Sequence, residues 1–231
     1  MKLVQLEIEN NIATITLQNG KANAISPQVI TELNEALDEA EKSQSVVILT
    51  GQDGIFSGGF DLAIMKKDIQ SATDLVCSGS QLSHRMLSFP FPIIVASSGH
   101  AIAKGAFLLL SGDYRIGCSG KFKTGLNEVA IGMTMHHAGI EIARHRMPAP
   151  YFYRSVVNAE IFNPETAIAA GFLDEIVAPE QLAERATEVA TQMKQLNMRA
   201  HKQTKLKTKA AYLEKLDWCI EQDAAHFDVL G

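Results

Sequence analysis

Val46-Val47-Ile48-Leu49-Thr50-Gly51-Gln52-Asp53-Gly54-Ile55-Phe56-Ser57-Gly58-Gly59-Phe60-Asp61-Leu62 carries the pattern that decides the fold. Its first five residues form a continuous apolar run of strand length, the kind buried on both faces of a sheet. Gly51 to Gly54 supplies a turn. Gly58 and Gly59 stand directly before an expected helix start, where backbone amides have no acceptor within the helix. Glycine lets a ligand approach the backbone closely, so these N–H groups suit a phosphate or a developing oxyanion. Taken alone, a plain glycine turn joining strand to helix is the commoner reading.

Outward from this segment the same rhythm recurs. Upstream, Leu3 to Ile8 and Ile12 to Leu17 alternate apolar and polar residues around Glu9-Asn10-Asn11, a β-hairpin signal. Ser26-Pro27 then gives an N-cap and a first-turn proline, followed by Val29, Ile30, Leu33, Leu37 and Ala40 at helical spacing. Downstream, Leu75 to Leu87 reads as a helix ended before Phe89-Pro90-Phe91-Pro92. Ile93 to Ser97 is a second buried strand, Gly99 to Gly105 a small-residue loop, Ala106 to Leu110 the start of an apolar helix, and Tyr114 to Cys118 a third strand. Strands alternating with helices predict an α/β fold with stacked parallel strands. In the last third, Asn163-Pro164 caps a short helix stopping at Gly171, Leu173 to Val177 is a short strand, and Pro179 to Leu196 and Arg199 to His226 are helical. A composition shift at Met147-Pro148-Ala149-Pro150 predicts a core over 1–147 and a helical region over 148–231.

The 231 residues are 46% hydrophobic and 20% charged, enough to bury a substantial core, and the net charge of −5 argues against a nucleic-acid partner. Cys77, Cys118 and Cys219 are widely spaced with no CxxC, so they read as reduced thiols rather than a disulfide frame or zinc site. Met1 to Glu7 lacks an apolar signal-peptide core, and no apolar run approaches the roughly 20 residues of a membrane span. A cytoplasmic location with no membrane partner is expected.

Two further segments carry chemistry. Ser97-Ser98-Gly99-His100-Ala101-Ile102-Ala103-Lys104-Gly105-Ala106-Phe107-Leu108 also runs through small residues into a helix, offering a second set of free amides; close packing of a loop is the alternative. Thr124-Gly125-Leu126-Asn127-Glu128-Val129-Ala130-Ile131-Gly132 places one carboxylate in an apolar stretch, where desolvation would raise its pKa and suit it to general-base work. A lone glutamate is more often solvated. His136 and His137 have no second ligand cluster nearby, so no metal site is expected; one of them lining a pocket is the functional reading. Trp218, with Leu213, Leu216 and Ile220, reads as packing or a subunit contact. The lysines from Lys202 to Lys209 read as a solvated helix face, with a contact to CoA phosphates as the alternative.

In order and spacing these segments resemble the crotonase (enoyl-CoA hydratase/isomerase) superfamily. Asn23-Ala24-Ile25-Ser26, Val47 to Gly51, Phe56 to Leu62, Gly99 to Gly105, Gly112-Asp113-Tyr114-Arg115-Ile116, Gly125-Leu126-Asn127-Glu128 and Ala167 to Val177 carry the likeness, over roughly residues 3 to 180. The resemblance implies a spiral of ββα repeats with a C-terminal helical trimerisation region, assembled as a homotrimer or dimer of trimers. It implies an acyl-CoA substrate, coenzyme A entering only as part of that substrate, and no separate cofactor. By motif, the backbone N–H groups of Phe60 and Lys104 match the oxyanion hole that grips the thioester carbonyl, and Glu128 matches the acid–base residue. Lys21, Ala22, Ala24, Ser57, Gly59, Phe60, Asp61 and Leu62 match segments lining the CoA site, with Gly105 and Phe107 beside the acyl group.

Family hydratases hold water between two glutamates, and this chain has Phe107 at the first of those positions. The pattern is closer to Δ3,Δ2-enoyl-CoA isomerases, which use a single base. An isomerase is therefore expected, with a hydratase, a thioester hydrolase or a catalytically weak acyl-CoA-binding protein as alternatives. Two departures stand out. Lys104 replaces the family's usual glycine, so an unfavourable φ, crowding of the thioester or an ammonium contact with CoA phosphates or an acidic acyl group is expected. The chain also stops soon after Asp223 to Leu230, where many relatives continue into a helix over the site, so thinner substrate cover, or cover from a neighbouring subunit, is expected.

Overall fold

The structure is a computed structural model describing residues 2–226; the stretch 227–231, where the expected C-terminal ending falls, lies outside the described residues. Strands β1 (Val4–Glu9) and β2 (Ile12–Leu17) pair antiparallel with Glu9 opposite Ile12. That register leaves Asn10 and Asn11 as the two turn residues, at φ of 50° and 58°. Asparagine is one of the few side chains that tolerates this left-handed region, which is why the pair closes a tight hairpin. Helix α1 (Pro27–Lys42) starts where Ser26 Oγ accepts the Val29 N–H, and it buries Val29, Ile30, Leu33 and Leu37. Each such aliphatic side chain contributes about 1.5–3 kcal/mol when removed from water.

Three units of one design follow. The first is β3 (Val46–Thr50), β4 (Gly54–Ser57), α2 (Leu62–Met65) and α3 (Ile69–Ser88). The second is β5 (Ile93–Ser97), β6 (Gly99–Ile102) and α4 (Lys104–Ser111). The third is β7 (Tyr114–Cys118), β8 (Thr124–Gly125), a 3-10 turn at Val129–Ile131 and α5 (His137–Arg146). In each unit the first strand enters a six-stranded sheet and the second enters a four-stranded sheet. The remaining elements are α6 (Ala149–Val156), β9 (Ile161–Phe162), α7 (Pro164–Ala169), β10 (Glu175–Val177), a 3-10 turn at Pro179–Gln181, α8 (Leu182–Met193) and α9 (Met198–Ala225). The large sheet has the order β1-β2-β3-β5-β7-β10 and the small one β4-β6-β8-β9. The expected ββα spiral is present, and β10 returns the C-terminal third to the large sheet, parallel to β7.

The continuous apolar runs are explained by burial on both faces. Alternate residues of β3 and β5, Val47, Leu49, Ile93 and Val95, join the main core. Their neighbours Val46, Ile48, Ile94 and Ala96 are covered by Leu182, Ala186, Val189 and Ala190 of α8. Among the described residues no helix is long and apolar enough to cross a membrane.

Three expectations are corrected. Gly99 to Ile102, read as loop, is strand β6: it pairs with both β4 and β8, and its small residues allow the close approach. Helix α3 begins at Ile69 rather than Leu75, because Asp68 accepts the Ser71 N–H and caps it. The lysine run is not wholly solvated. Lys205 is buried, with its ammonium 2.5 Å from Asp113 Oδ2, and Lys209 reaches Asp113 Oδ1 at 3.4 Å. A desolvated ammonium is costly unless a carboxylate faces it, and Asp113 provides that partner.

Helix α9 packs along α3 and α5 of its own chain, burying Tyr212, Leu216, Cys219 and Ile220. Trp218 stays exposed, with the Lys215 ammonium 3.4 Å from its ring centroid. Near the end of α9, Asp223 turns back on the start of α5, accepting the His137 N–H at 2.8 Å and the Ala138 N–H at 2.9 Å. This carboxylate satisfies two of the amides that every helix N-terminus leaves without partners.

Candidate active site

The small sheet sets the geometry of the site. β4, β6 and β8 are parallel neighbours, so the segments leaving their C-terminal ends emerge side by side, about 5 Å apart per strand. Phe60 follows β4, Lys104 follows β6 and Glu128 follows β8. Three segments distant in sequence thus deliver the two expected amides and the expected base to one edge.

Each segment is shaped for close approach. Gly59 has φ +102°, a region closed to most side chains, and a Cβ there would lie 2.9 Å from Ala103 Cβ and 3.5 Å from the Lys104 nitrogen. The Gly59–Phe60 turn is therefore pressed directly on the start of α4. Ile25 secures it from below by donating to Gly59 O at 2.8 Å and accepting from Asp61 N at 3.0 Å. Gly105 lets the first turn of α4 rest on Ser57, where a Cβ would meet the Ser57 carbonyl at 2.4 Å. Ala103 donates its N–H to Gly125 O at 2.9 Å, tying the second segment to the third. No hydrogen bond within the described residues uses the Phe60 or Lys104 amide as donor. Both are free to hold an external oxygen.

Glu128 is buried, and its Oε2 has no hydrogen-bond partner within the described residues. Burial pushes its carboxyl up to about 7, opposed only by its own backbone N–H. A group poised there can both take and return a proton near neutral pH. Phe107 is fully buried and meets the His136 ring edge-to-face at 5.5 Å. Burial, followed by the nearby charges of Lys104 and His137, holds the His136 imidazole down to about 3, so it is neutral at physiological pH. His137 is exposed, against Trp218 at 6.2 Å. Of the two histidines, it is His136 that packs beside Phe107.

The expected CoA-contacting segments also lie together. Gly58 donates to Ala22 O at 2.8 Å, placing Lys21, Ala22 and Ala24 beside Ser57 to Leu62. Ser57 is buried with Oγ accepting the Gly59 N–H, Asp61 caps α2, and Leu62 is exposed. Asn23, outside the residues expected at the site, braces this corner. Its side-chain amide donates to Leu17 O and Phe56 O, and its Oδ1 accepts the Asn19 N–H.

The expectations for Lys104 are overturned. The residue with positive φ is Ala103, at 51°, and Lys104 is the first residue of α4. Its side chain is buried rather than exposed to solvent. It runs inward to α3, where Nζ donates to Gly79 O at 2.5 Å and Ser83 Oγ at 2.6 Å. Gly79 and Ser83 are thus neighbours of the site that sequence reading missed. Their signal is a pair of small residues four apart, both on the buried face of an amphipathic helix.

A spiral of ββα units feeding a large and a small sheet is the crotonase architecture, in which the crystal structures of similar chains are also built. The sequence profile of the enoyl-CoA hydratase/isomerase family matches residues 7–230, and the chain belongs to that family. A crystal structure of a family protein from Pseudomonas syringae is similar at 59% identity and a TM-score of 0.96, covering 97% of each chain. A Mycobacterium tuberculosis protein, 40% identical with a TM-score of 0.94 over 98% of this chain and 99% of that one, is described as an enoyl-CoA isomerase. Another crystal structure of that protein describes it as a probable enoyl-CoA hydratase. A probable enoyl-CoA hydratase of Bacillus subtilis (strain 168) is 32% identical over 145 residues, 61% of this chain and 56% of that protein's length.

Proposed function

We propose that the protein is an enoyl-CoA isomerase, moving the double bond of a 3-enoyl-CoA ester to the 2-position. One observation carries the reading: Glu128 is buried with Oε2 unpartnered among the described residues, and the position that the family resemblance gives to a hydratase's other glutamate is the buried Phe107. The ionised Glu128 takes a proton from C2, and the resulting negative charge spreads onto the thioester oxygen. The Phe60 and Lys104 N–H groups hold that oxygen as a dienolate. Glu128, now protonated, returns the proton to C4, so the double bond shifts and the mass is unchanged. Oxyanion donors of this kind are worth about 10²–10³ in rate each. No water enters the sequence, which suits a site where Phe107 can neither hold nor deprotonate one.

Lys21, Ala22, Ala24 and Ser57 to Leu62 are proposed to bind the CoA portion, and a trimer or dimer of trimers in the cytoplasm is the proposed working form. The reaction needs no cofactor beyond the CoA of the substrate. Mass-resolved product analysis of 3-enoyl- and 2-enoyl-CoA esters tests this, with Glu128→Gln as control. Conversion at constant mass, abolished in the variant, is the expected result. Addition of one water, release of free CoA, or full activity in Glu128→Gln would refute it.

A further inference from the structure

A buried ammonium normally faces a carboxylate, because removing a charge from water is expensive. Lys104 departs from that rule. Its side chain is wholly buried, its two hydrogen-bond acceptors are the uncharged Gly79 O and Ser83 Oγ, and it has no ion pair among the described residues. It also stands at the N-terminus of α4, where the helix dipole already favours anions over cations. The charge is therefore held, against two opposing costs, at the residue whose own backbone amide has no acceptor among the described residues.

The same turn of α3 receives the other expected donor. A Cβ added to Gly79 would lie 2.5 Å from Phe60 Cζ, 2.6 Å from Phe60 Cε1 and 3.3 Å from Lys104 Cε. The Phe60 ring and the Lys104 stem thus share one notch, with the ammonium 6.0 Å from the ring centroid. Two loops from different ββα units are seated on a single helix turn by the side chains of the two residues whose amides converge.

We infer that Lys104 is a positioning residue: its side chain pins its own amide to α3, in the notch where the Phe60 ring seats the other, and sets a positive charge with no ion-pair partner behind the oxyanion-holding amides for the transient dienolate. This rests on the proposed isomerase reading. Proton transfer moves the negative charge from Glu128, with which Lys104 makes no ion pair among the described residues, onto the thioester oxygen held by the amides, and an attraction that strengthens on the way to the dienolate lowers a barrier rather than tightening substrate binding. Burial holds the ammonium down to about 7. Of the titratable groups packed around it, His136 at the start of α5 senses its charge and is itself neutral, while α3 contributes only the Ser83 hydroxyl and the Gly79 carbonyl. Activity should accordingly rise with pH as Glu128 ionises and fall as Lys104 loses its proton.

The test compares wild type, Lys104→Met and Ser83→Ala, each of which keeps the backbone amides. One arm measures kcat and KM for a 3-enoyl-CoA ester across pH. The other records the thioester carbonyl band of bound 2,4-hexadienoyl-CoA by difference Raman spectroscopy, which reads polarisation without turnover. Lys104→Met should lower kcat about tenfold at little cost in KM, lose the alkaline limb and weaken the carbonyl shift, without a lower melting temperature. Ser83→Ala, which removes an acceptor of the charged form, should move the alkaline limb to lower pH; it also serves should Lys104→Met fail to fold. Unchanged kcat and carbonyl shift in Lys104→Met, or an unmoved limb in Ser83→Ala, overturns the inference alone. A wild type that polarises the carbonyl but does not isomerise overturns the isomerase reading alone, and one that leaves the carbonyl unshifted overturns both.

Discussion

Replacing Glu128 by glutamine should cost activity and gain stability, and the size of the gain follows from burial. The carboxyl has an ordinary value of 4.5, and desolvation lifts it to about 7 in the folded protein. A group whose folded value is raised favours folding in its protonated form. Its contribution is fully present below the unfolded value and is lost as pH rises through the folded one. Below pH 4.5 wild type therefore bears no ionisation penalty at this residue, and above about pH 7 it bears all of it. From about pH 5 to about pH 8 the accumulated penalty is about 2–3 kcal/mol, at 1.36 kcal/mol for each tenfold displacement. Glutamine cannot ionise, so the stability difference between Glu128→Gln and wild type should grow in favour of the variant by that amount over the same range. Part of it is offset at every pH by the unpaired amide that replaces the unpaired Oε2, but this offset does not change with pH. The assay is urea denaturation followed by circular dichroism at both pH values and one fixed protein concentration. A stability difference that stays flat with pH would show that Glu128 is solvated in the folded protein, and the argument for it as a neutral-pH base would fall with it.

Two other outcomes follow from the packing around the site. Asp223→Ala removes the carboxylate that holds the His137 and Ala138 amides, and should cost about 1–2 kcal/mol in the same denaturation assay; a loss of only a few tenths would mean α5 keeps its start without α9. Gly79→Ala forces a methyl against the Phe60 ring, and should lower kcat for isomerisation by about 10–100-fold with a smaller change in KM, unchanged kinetics showing that α3 does not set the donor geometry.

Much of this protein is written in local residue pattern. The Asn10-Asn11 hairpin, the Ser26-Pro27 helix start and the Asn163 cap each depend on neighbours a few residues away, and each stands in the structure where the sequence places it. The doubly apolar strands at Val46–Thr50 and Ile93–Ser97 were equally legible, because burial on both faces leaves no polar alternation to read. The motif order was enough to carry the family and to point at Glu128, Phe60 and Lys104.

What the sequence could not decide depends on contacts between distant segments. Gly99 to Ile102 has no apolar period and reads as loop; only pairing on both sides, with β4 and β8, makes it a strand. Lys205 looks like any helix-surface lysine until α9 lies over Asp113, 92 residues away in the chain. Lys104 is the clearest case. A lysine after a small-residue strand gives no local sign of where its ammonium goes, and its sequence context is equally compatible with crowding of the thioester or a contact with CoA phosphates or an acidic acyl group. Its direction is fixed by α3, whose Gly79 leaves room for the stem and whose Ser83 supplies an acceptor. Local sequence sets backbone conformation, since φ, ψ and capping are short-range. The destination of a long polar side chain is set by which helix the tertiary fold brings within reach of it.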